Sequence, residues 1–303
     1  MSTHAGHHHH DHRHEDSRRM GVVLAINVAM LALGIVGGLV FDSLALLADA
    51  GHVLADVGAI GLALFAGWMA RRPAGPQRTF GFRRGEILAA LFNGFTLVAI
   101  AVFVFVAAVG RLSDPPSVDG GGVIVIGLLS LIGNGAAALL LVGGDRENVN
   151  LEGVLRHTAA DALGALGVVL AGLIVVTTGW DQADAVVSMA IGVLILLGSW
   201  RLLREPFNVL METAPEGIDV QEVGAAMCAV PGVREVHDLH VWTVTSGFAA
   251  LAAHIRTDPN DDADEVRVRI EAVLHDRFGL DHTTLQVVPE PLLQIEDRRR
   301  EQD

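Results

Sequence analysis

Ser43-Leu-Ala-Leu-Leu-Ala-Asp49-Ala-Gly-His52-Val-Leu-Ala-Asp56 is apolar enough to cross a bilayer, yet it carries three ionisable residues. Intervals of three and four residues place Asp49, His52 and Asp56 on one face of a helix, with His52 and Asp56 one turn apart. A second copy of the pair, His157-Thr-Ala-Ala-Asp161, lies in another apolar stretch. Each such group costs roughly 2.5–3.5 kcal/mol at membrane depth on insertion scales, so it persists where it has a task or a partner. Two pairs on two helices supply four ligands for one ion.

The sequence around this run is that of a membrane protein. The 303 residues are 51% hydrophobic and 18% charged, with mean hydropathy +0.45, a balance foreign to most soluble domains. Six segments reach the twenty or so apolar residues that a bilayer requires: 21–41, 44–70, 86–110, 121–143, 151–177 and 183–203. Arg156 and His157 interrupt the fifth, which hydropathy alone would begin near Ala159. The short link between the first two spans forces an antiparallel hairpin. Gly34, Gly37, Gly38, Gly58, Gly61 and Gly67 permit close helix contact in lipid, and interhelical hydrogen bonding accounts for Asn27, Asn93 and Asn134.

Arginines near the span ends set orientation. Arg13, Arg18 and Arg19 precede span one, Arg71, Arg72, Arg78, Arg83 and Arg84 follow span two, and Arg201 and Arg204 close span six. The alternate loops hold Asp42, then Arg111 with Asp114 and Asp119, then Asp181 with Asp184. Both termini are therefore expected in the cytoplasm, with the chain in the cell membrane. From Pro215 the pattern becomes a compact α/β unit: a helix over 218–229, a strand over 233–245, a turn at Ser246-Gly247, a partner strand over 248–257, an amphipathic helix over 261–278 and a last strand over 283–288.

The expected architecture is an α-helical membrane bundle of six transmembrane helices followed by a small cytoplasmic α+β domain, αββαβ and ferredoxin-like or metallochaperone-like. Its divisions are a His-rich tail over 1–20, a membrane domain over 21–206, the α+β domain over 207–292 and a charged tail over 293–303. A unit of about eighty residues is small for an independent core, which favours a homodimer.

Composition excludes several functions. With 21 basic residues, all arginine, against 35 acidic ones the net charge is −14, so a nucleic-acid partner is not expected. Cys228 is the single cysteine, leaving metal chemistry to His, Asp and Glu. The first twenty residues hold His4, His7, His8, His9, His10, His12 and His14 among charges and do not form a signal peptide. That tract reads either as a loose divalent-metal binder or, from His7 to His10, as a purification tag.

Two imidazoles and two carboxylates form a four-coordinate set suited to Zn²⁺, with Co²⁺, Cd²⁺, Fe²⁺, Mn²⁺ and Ni²⁺ also accommodated. Hard cations prefer all-oxygen shells. Asp49 shares the face of His52, either supporting the ligands or lying on a proton path. The bland alternative is a private His–Asp ion pair within each helix. Zn²⁺ binds neutral imidazole and ionised carboxylate, so metal loading expels protons and proton loading expels metal. An intramembrane zinc metalloenzyme is a rival, but it would keep an open coordination position beside a general base. A passive divalent-metal channel would need weaker sites, and a membrane metal sensor is the remaining alternative.

The run from Ser43 to Asp56, the pair His157 and Asp161, and the soluble His237-Asp-Leu-His240-Val-Trp242 together resemble the cation diffusion facilitator family, in particular its zinc/cobalt/cadmium-resistance branch. The resemblance covers the whole chain. It implies a homodimeric exporter, not an enzyme, that moves Zn²⁺ out of the cytoplasm in exchange for H⁺, with His52, Asp56, His157 and Asp161 as the transport site. It also implies a metal site in the cytoplasmic domain from His237, His254 and His282. Alternation along the strand groups His237 with Leu239 and Val241, and sets His240 on the other face with Trp242 and Val244. Some relatives carry histidines between spans two and three, and the stretch Gln77-Arg-Thr-Phe80-Gly-Phe82-Arg-Arg-Gly-Glu86 has none. Its arginines are expected to meet lipid headgroups or the cytoplasmic domain.

Overall fold

A computed structural model describes the backbone of residues 8–142 and 151–289, and the side chains of residues 21–140 and 159–289. Six long helices come first: α1 (His8–Val40), α2 (Leu44–Ala70), α3 (Gly85–Ser113), α4 (Gly120–Val142), α5 (Leu151–Thr178) and α6 (Gln182–Leu210). All six contain a stretch long and apolar enough to span a membrane, and in α5 it begins at Ala159. Large apolar side chains such as Leu64, Phe103 and Leu139 stand exposed on these helices, as a lipid-facing surface requires. The α+β part follows as α7 (Val220–Cys228), β1 (Val233–Thr245), β2 (Phe248–Thr257), α8 (Ala263–Phe278) and β3 (His282–Val288). Six membrane helices and a small α+β domain are thus the fold, as the hydropathy predicts.

Two helices run further than the sequence suggests. α1 reaches back to His8, and α6 continues seven residues beyond the expected 203, through Pro206. Pro206 lacks an N–H, but only one backbone bond is lost that near the helix end. The chain divides into two compact units close to this proline: one joins the residues up to Trp68 with Leu88–Arg204, the other joins Met69–Ile87 with the chain from Glu205. The link between α2 and α3 therefore packs with the α+β part.

Within the first unit, small residues bring helices close. A Cβ on Gly34 would sit 2.9 Å from Ala50 Cβ, and one on Gly38 2.6 Å from Leu47, so α1 packs tightly on α2. Gly37 faces Ile126 of α4 in the same way. Gly58, Gly61 and Gly67 behave otherwise, since a Cβ on any of them would meet nothing within 4 Å among the described residues. The buried core is built from Leu44, Leu46, Ala48, Leu97, Ala101, Val104, Val123 and Val168.

In the second unit the sheet order is β1-β2-β3, antiparallel between β1 and β2 and parallel between β2 and β3. The helices bury Val223, Met227, Val266, Ile270 and Leu274 against Val241, Leu251 and Ile255. Asp262 caps α8 by accepting from the N–H groups of Asp264 and Glu265, and Gly279 ends it in the left-handed conformation, φ 65°, as helix termini favour.

One feature of β1 overturns simple alternation. His237 pairs with His254, and His240 with Ala252, so three steps on β1 match two on β2. Asp238, φ 52°, takes up the extra residue as a bulge. Val236, Leu239 and Val241 consequently pack on the core, whereas His237, His240 and Trp242 share the outer face with His254. The expected grouping of His237 with Leu239 and Val241 is incorrect.

Candidate metal site

α2 presents Asp49, His52 and Asp56 from three successive turns, and α5 presents Asp161. His52 Nε2 lies 3.1 Å from Asp161 Oδ1 on the other helix and 3.8 Å from Asp56 Oδ2 on its own. One ligand atom from each of the three falls within 4.8 Å of the others, the one such group among the described residues. A tetrahedral Zn²⁺ with bonds of about 2.0–2.2 Å separates its ligand atoms by about 3.3–3.6 Å, and the two measured separations bracket that range. The three side chains are 24%, 23% and 17% exposed, sheltered yet within reach of an entering ion. His52 therefore pairs both within α2 and across to α5, and the contact across helices is the shorter. His157 lies one turn before Asp161 on α5, and its side chain falls outside the described residues, as do the side chains of the N-terminal histidines.

Asp49 is more deeply placed. It is 8% exposed and accepts a hydrogen bond from Ser130 of α4. A Cβ built on Gly164 of α5 would lie 3.3 Å from its Oδ1. Asp49 thus ties α2 to α4 and α5 behind the ligand group. Ser130 is a partner that the sequence did not single out: a lone serine in an apolar span carries no periodic signal, unlike the His–Asp spacing.

The histidines of the α+β part divide into two groups. His237 and His254 face each other with ring centroids 5.5 Å apart. His237 Nδ1 is buried without a hydrogen-bond partner, with Glu235 Oε1 3.9 Å away. The bulge brings in His240, whose Nε2 is 2.8 Å from Asp238 Oδ1. That hydrogen bond holds the Asp238 carboxyl below the ordinary carboxylate range. Asp238 Oδ2 also lies 3.9 Å from His254 Nε2. His282 is elsewhere: it pairs with Ala250, whereas His254 pairs with Gln286, four residues or about 13 Å further along the strand. His282 packs instead on Phe80 and Phe248, with centroids at 5.7 and 5.3 Å. Within one chain, therefore, His237, His254 and His282 do not form a single ligand set.

The link between α2 and α3 also has its own order. Arg78 stacks on Phe82, 4.4 Å from the ring centroid, and Arg84 pairs with Glu212 at 3.1 Å. Thr245 and Ser246, at the turn between β1 and β2, donate to Glu86 at the start of α3. The arginines of this link that the sequence assigned to lipid or to the α+β part include two in direct contact with that part, Arg83 over the Phe248 ring and Arg84 on Glu212.

Six spans, an intramembrane His–Asp cluster shared by two helices and a small α+β tail define a polytopic membrane transporter, not an enzyme. Residues 20–211 match the cation efflux transmembrane domain, and residues 215–290 match the cytoplasmic domain of cation efflux proteins. The chain belongs to this family of metal exporters, the cation diffusion facilitators. It is 38% identical over 280 residues to the metal cation efflux system protein CzcD of Cupriavidus metallidurans, covering 92% of this chain and 89% of that one. It is 36% identical over 293 residues to the zinc transporter ZitB of Escherichia coli, covering 95% and 93%. A cadmium, cobalt and zinc/H⁺-K⁺ antiporter of Bacillus subtilis is 33% identical over 287 residues, covering 92% of each.

Proposed function

We propose that this chain exports divalent transition-metal cations from the cytoplasm in exchange for protons, with Zn²⁺ the preferred cargo and Co²⁺, Cd²⁺, Fe²⁺ and Mn²⁺ as secondary ones. The observation that carries the reading is the convergence of His52, Asp56 and Asp161 from two membrane helices, with His157 one turn away as the fourth ligand. Its imidazole and carboxylate donors favour a borderline cation over Mg²⁺ or Ca²⁺. Protonation of the same atoms releases the metal, so one site couples two opposed flows when it faces each side in turn. The names of the relatives agree with this cargo: zinc transport for one, and exchange of cadmium, cobalt and zinc against H⁺ and K⁺ for another.

Both termini are assigned to the cytoplasm from the arginine distribution, and the working unit is a homodimer joined through the α+β domain. There, His237 and His254 hold regulatory metal that favours the transporting state. A site shared between two copies is the way His282 would still contribute. Asp49 acts as a positioning residue through Ser130 and α5.

Metal uptake into inverted membrane vesicles, with and without an imposed pH gradient, tests the exchange. Uptake is expected to follow the gradient and to fall to background in Asp161→Ala, while Asp49→Asn reduces it about 10- to 100-fold, as loss of an outer-shell partner does. Uptake indifferent to the gradient defeats proton exchange, and full activity in Asp161→Ala defeats the site.

A further inference from the structure

A cavity of about 560 Å³ opens where the chain leaves the second span. Its walls start at Ala70, the last residue of α2, and include Arg72, Thr79, Phe80, Arg83, Phe248 and His282. Among the described residues no aspartate or glutamate lines it, although the chain carries a net charge of −14. Nearby, Glu86 accepts from Thr245 and Ser246, and Glu212 from Arg84.

The wall is pre-shaped. Phe80, Phe248 and His282 pack edge-on or tilted against one another with centroids 5.3–6.3 Å apart. The Arg83 guanidinium lies 4.8 Å from the Phe248 centroid. A guanidinium stacked by its face keeps its N–H edges directed in-plane, the geometry that grips phosphate oxygens in pairs. Thr79 and His282 add further hydrogen-bonding groups beside the two cations. The volume lies within the range of small-ligand sites, about 300–1,000 Å³, and the aromatic wall beside a span terminus suits a headgroup whose acyl chains stay in the bilayer.

We propose that this cavity binds a phosphate-bearing anion, either the headgroup of an acidic phospholipid or free phosphate, through Arg72 and Arg83 against the Phe80–Phe248–His282 wall. Binding here is separate from the intramembrane metal site, as His52, Asp56 and Asp161 do not line the cavity.

Native mass spectrometry of the full chain in a neutral detergent tests this in two arms, one titrated with inorganic phosphate and one with phosphatidylglycerol. Saturable binding in the lipid arm alone assigns the cavity to a headgroup, and saturable binding in both assigns it to the phosphate group itself. Arg72→Gln and Arg83→Gln are each expected to weaken binding about fivefold, and the double variant about 25-fold, as for loss of one cation each near an anionic surface. Arg83→Lys keeps the charge but loses the stacked fork, and is expected to bind more weakly than wild type. Arg71→Gln, outside the cavity, is expected to leave binding unchanged. Undiminished occupancy in the double variant overturns the proposal. So does an equal loss in Arg71→Gln, which marks diffuse surface charge.

Discussion

Asp184 of α6 caps α2: its carboxylate accepts from Ser43 Oγ at 2.5 Å and from Leu44 N–H at 2.6 Å. Ala45 N–H lies 3.3 Å from the same group, and Arg111 of α3 approaches to 3.8 Å. Ser43 and Asp184 are 0% and 1% exposed. Ser43, the residue just before the helix, accepts from Leu46 N–H at 3.2 Å as an ordinary N-cap, and the carboxylate from a distant helix answers the orphan N–H groups of Leu44 and Ala45 and the positive end of the dipole. Because α2 carries Asp49, His52 and Asp56, this cap fixes where the ligands stand.

Removing that carboxylate leaves buried donors without an acceptor, at a cost of about 1–3 kcal/mol. Asp184→Ala is therefore expected to lower the thermal unfolding midpoint in detergent and to slow metal transport. Ser43→Ala, which removes one donor to the carboxylate and the acceptor for Leu46 N–H but keeps the carboxylate on the backbone, is expected to cost about 1 kcal/mol. Equal midpoints for wild type and Asp184→Ala would show that the cap does not stabilise the bundle.

The contrast between Asp184 and the His52–Asp161 pair shows what the sequence conveys. Six spans are legible because each is a long apolar run, and the metal cluster because four-residue spacing survives on any helix. Asp184 reads as one more acid in a loop with Asp181, since its partner lies 141 residues earlier and no local pattern announces a tertiary cap. The link carrying Arg78, Phe80 and Arg83 is equally opaque, because its partners Phe248 and Glu212 come from the far end of the chain.

The bulge at Asp238 is a second place where local pattern fails, and it yields a test. A residue other than glycine at φ 52° carries strain, which Asp tolerates better than a branched side chain. Asp238→Gly is expected to keep His237 and His240 on one face at little cost. Asp238→Val is expected to lose about 1–3 kcal/mol, or to drop the bulge and turn one histidine toward the core. Denaturant unfolding of the full chain, together with histidine ring NMR shifts, separates these outcomes from a bulge that any residue can fill.

His275 supplies a pH-dependent term on the surface of the α+β part. Its Nδ1 lies 2.5 Å from Asp281 Oδ1, and that hydrogen bond lifts the imidazole pKa above its ordinary value. A pKa raised in the folded state means that folding tightens the proton. The stabilisation is fully present below the ordinary value of about 6.5 and is lost as pH rises through the raised one. The difference in unfolding midpoint between wild type and His275→Gln is expected to be full below the ordinary value of about 6.5 and to shrink as pH rises above it. A difference that does not change with pH would assign the pair no protonic role.

α5, which carries Asp161, packs closely on α4, and at one end of that contact two glycines meet. A Cβ on Gly120 would come 2.7 Å from the Gly172 carbonyl oxygen, and a Cβ on Gly172 would come 2.8 Å from the Gly120 carbonyl oxygen. The obstructing atoms are backbone, so no side-chain rotation relieves the clash and the helices themselves must part. Gly172→Ala is expected to cost about 1–3 kcal/mol, as overpacking does, and to displace α5 relative to α2. Gly198→Ala, where a Cβ meets nothing within 4 Å among the described residues, is the matched control. The two are compared by thermal unfolding and by metal affinity, since separation of α5 from α2 lengthens the 3.1 Å His52–Asp161 contact. A Gly172→Ala protein with wild-type stability and affinity would mean that the α4–α5 contact does not set the metal site.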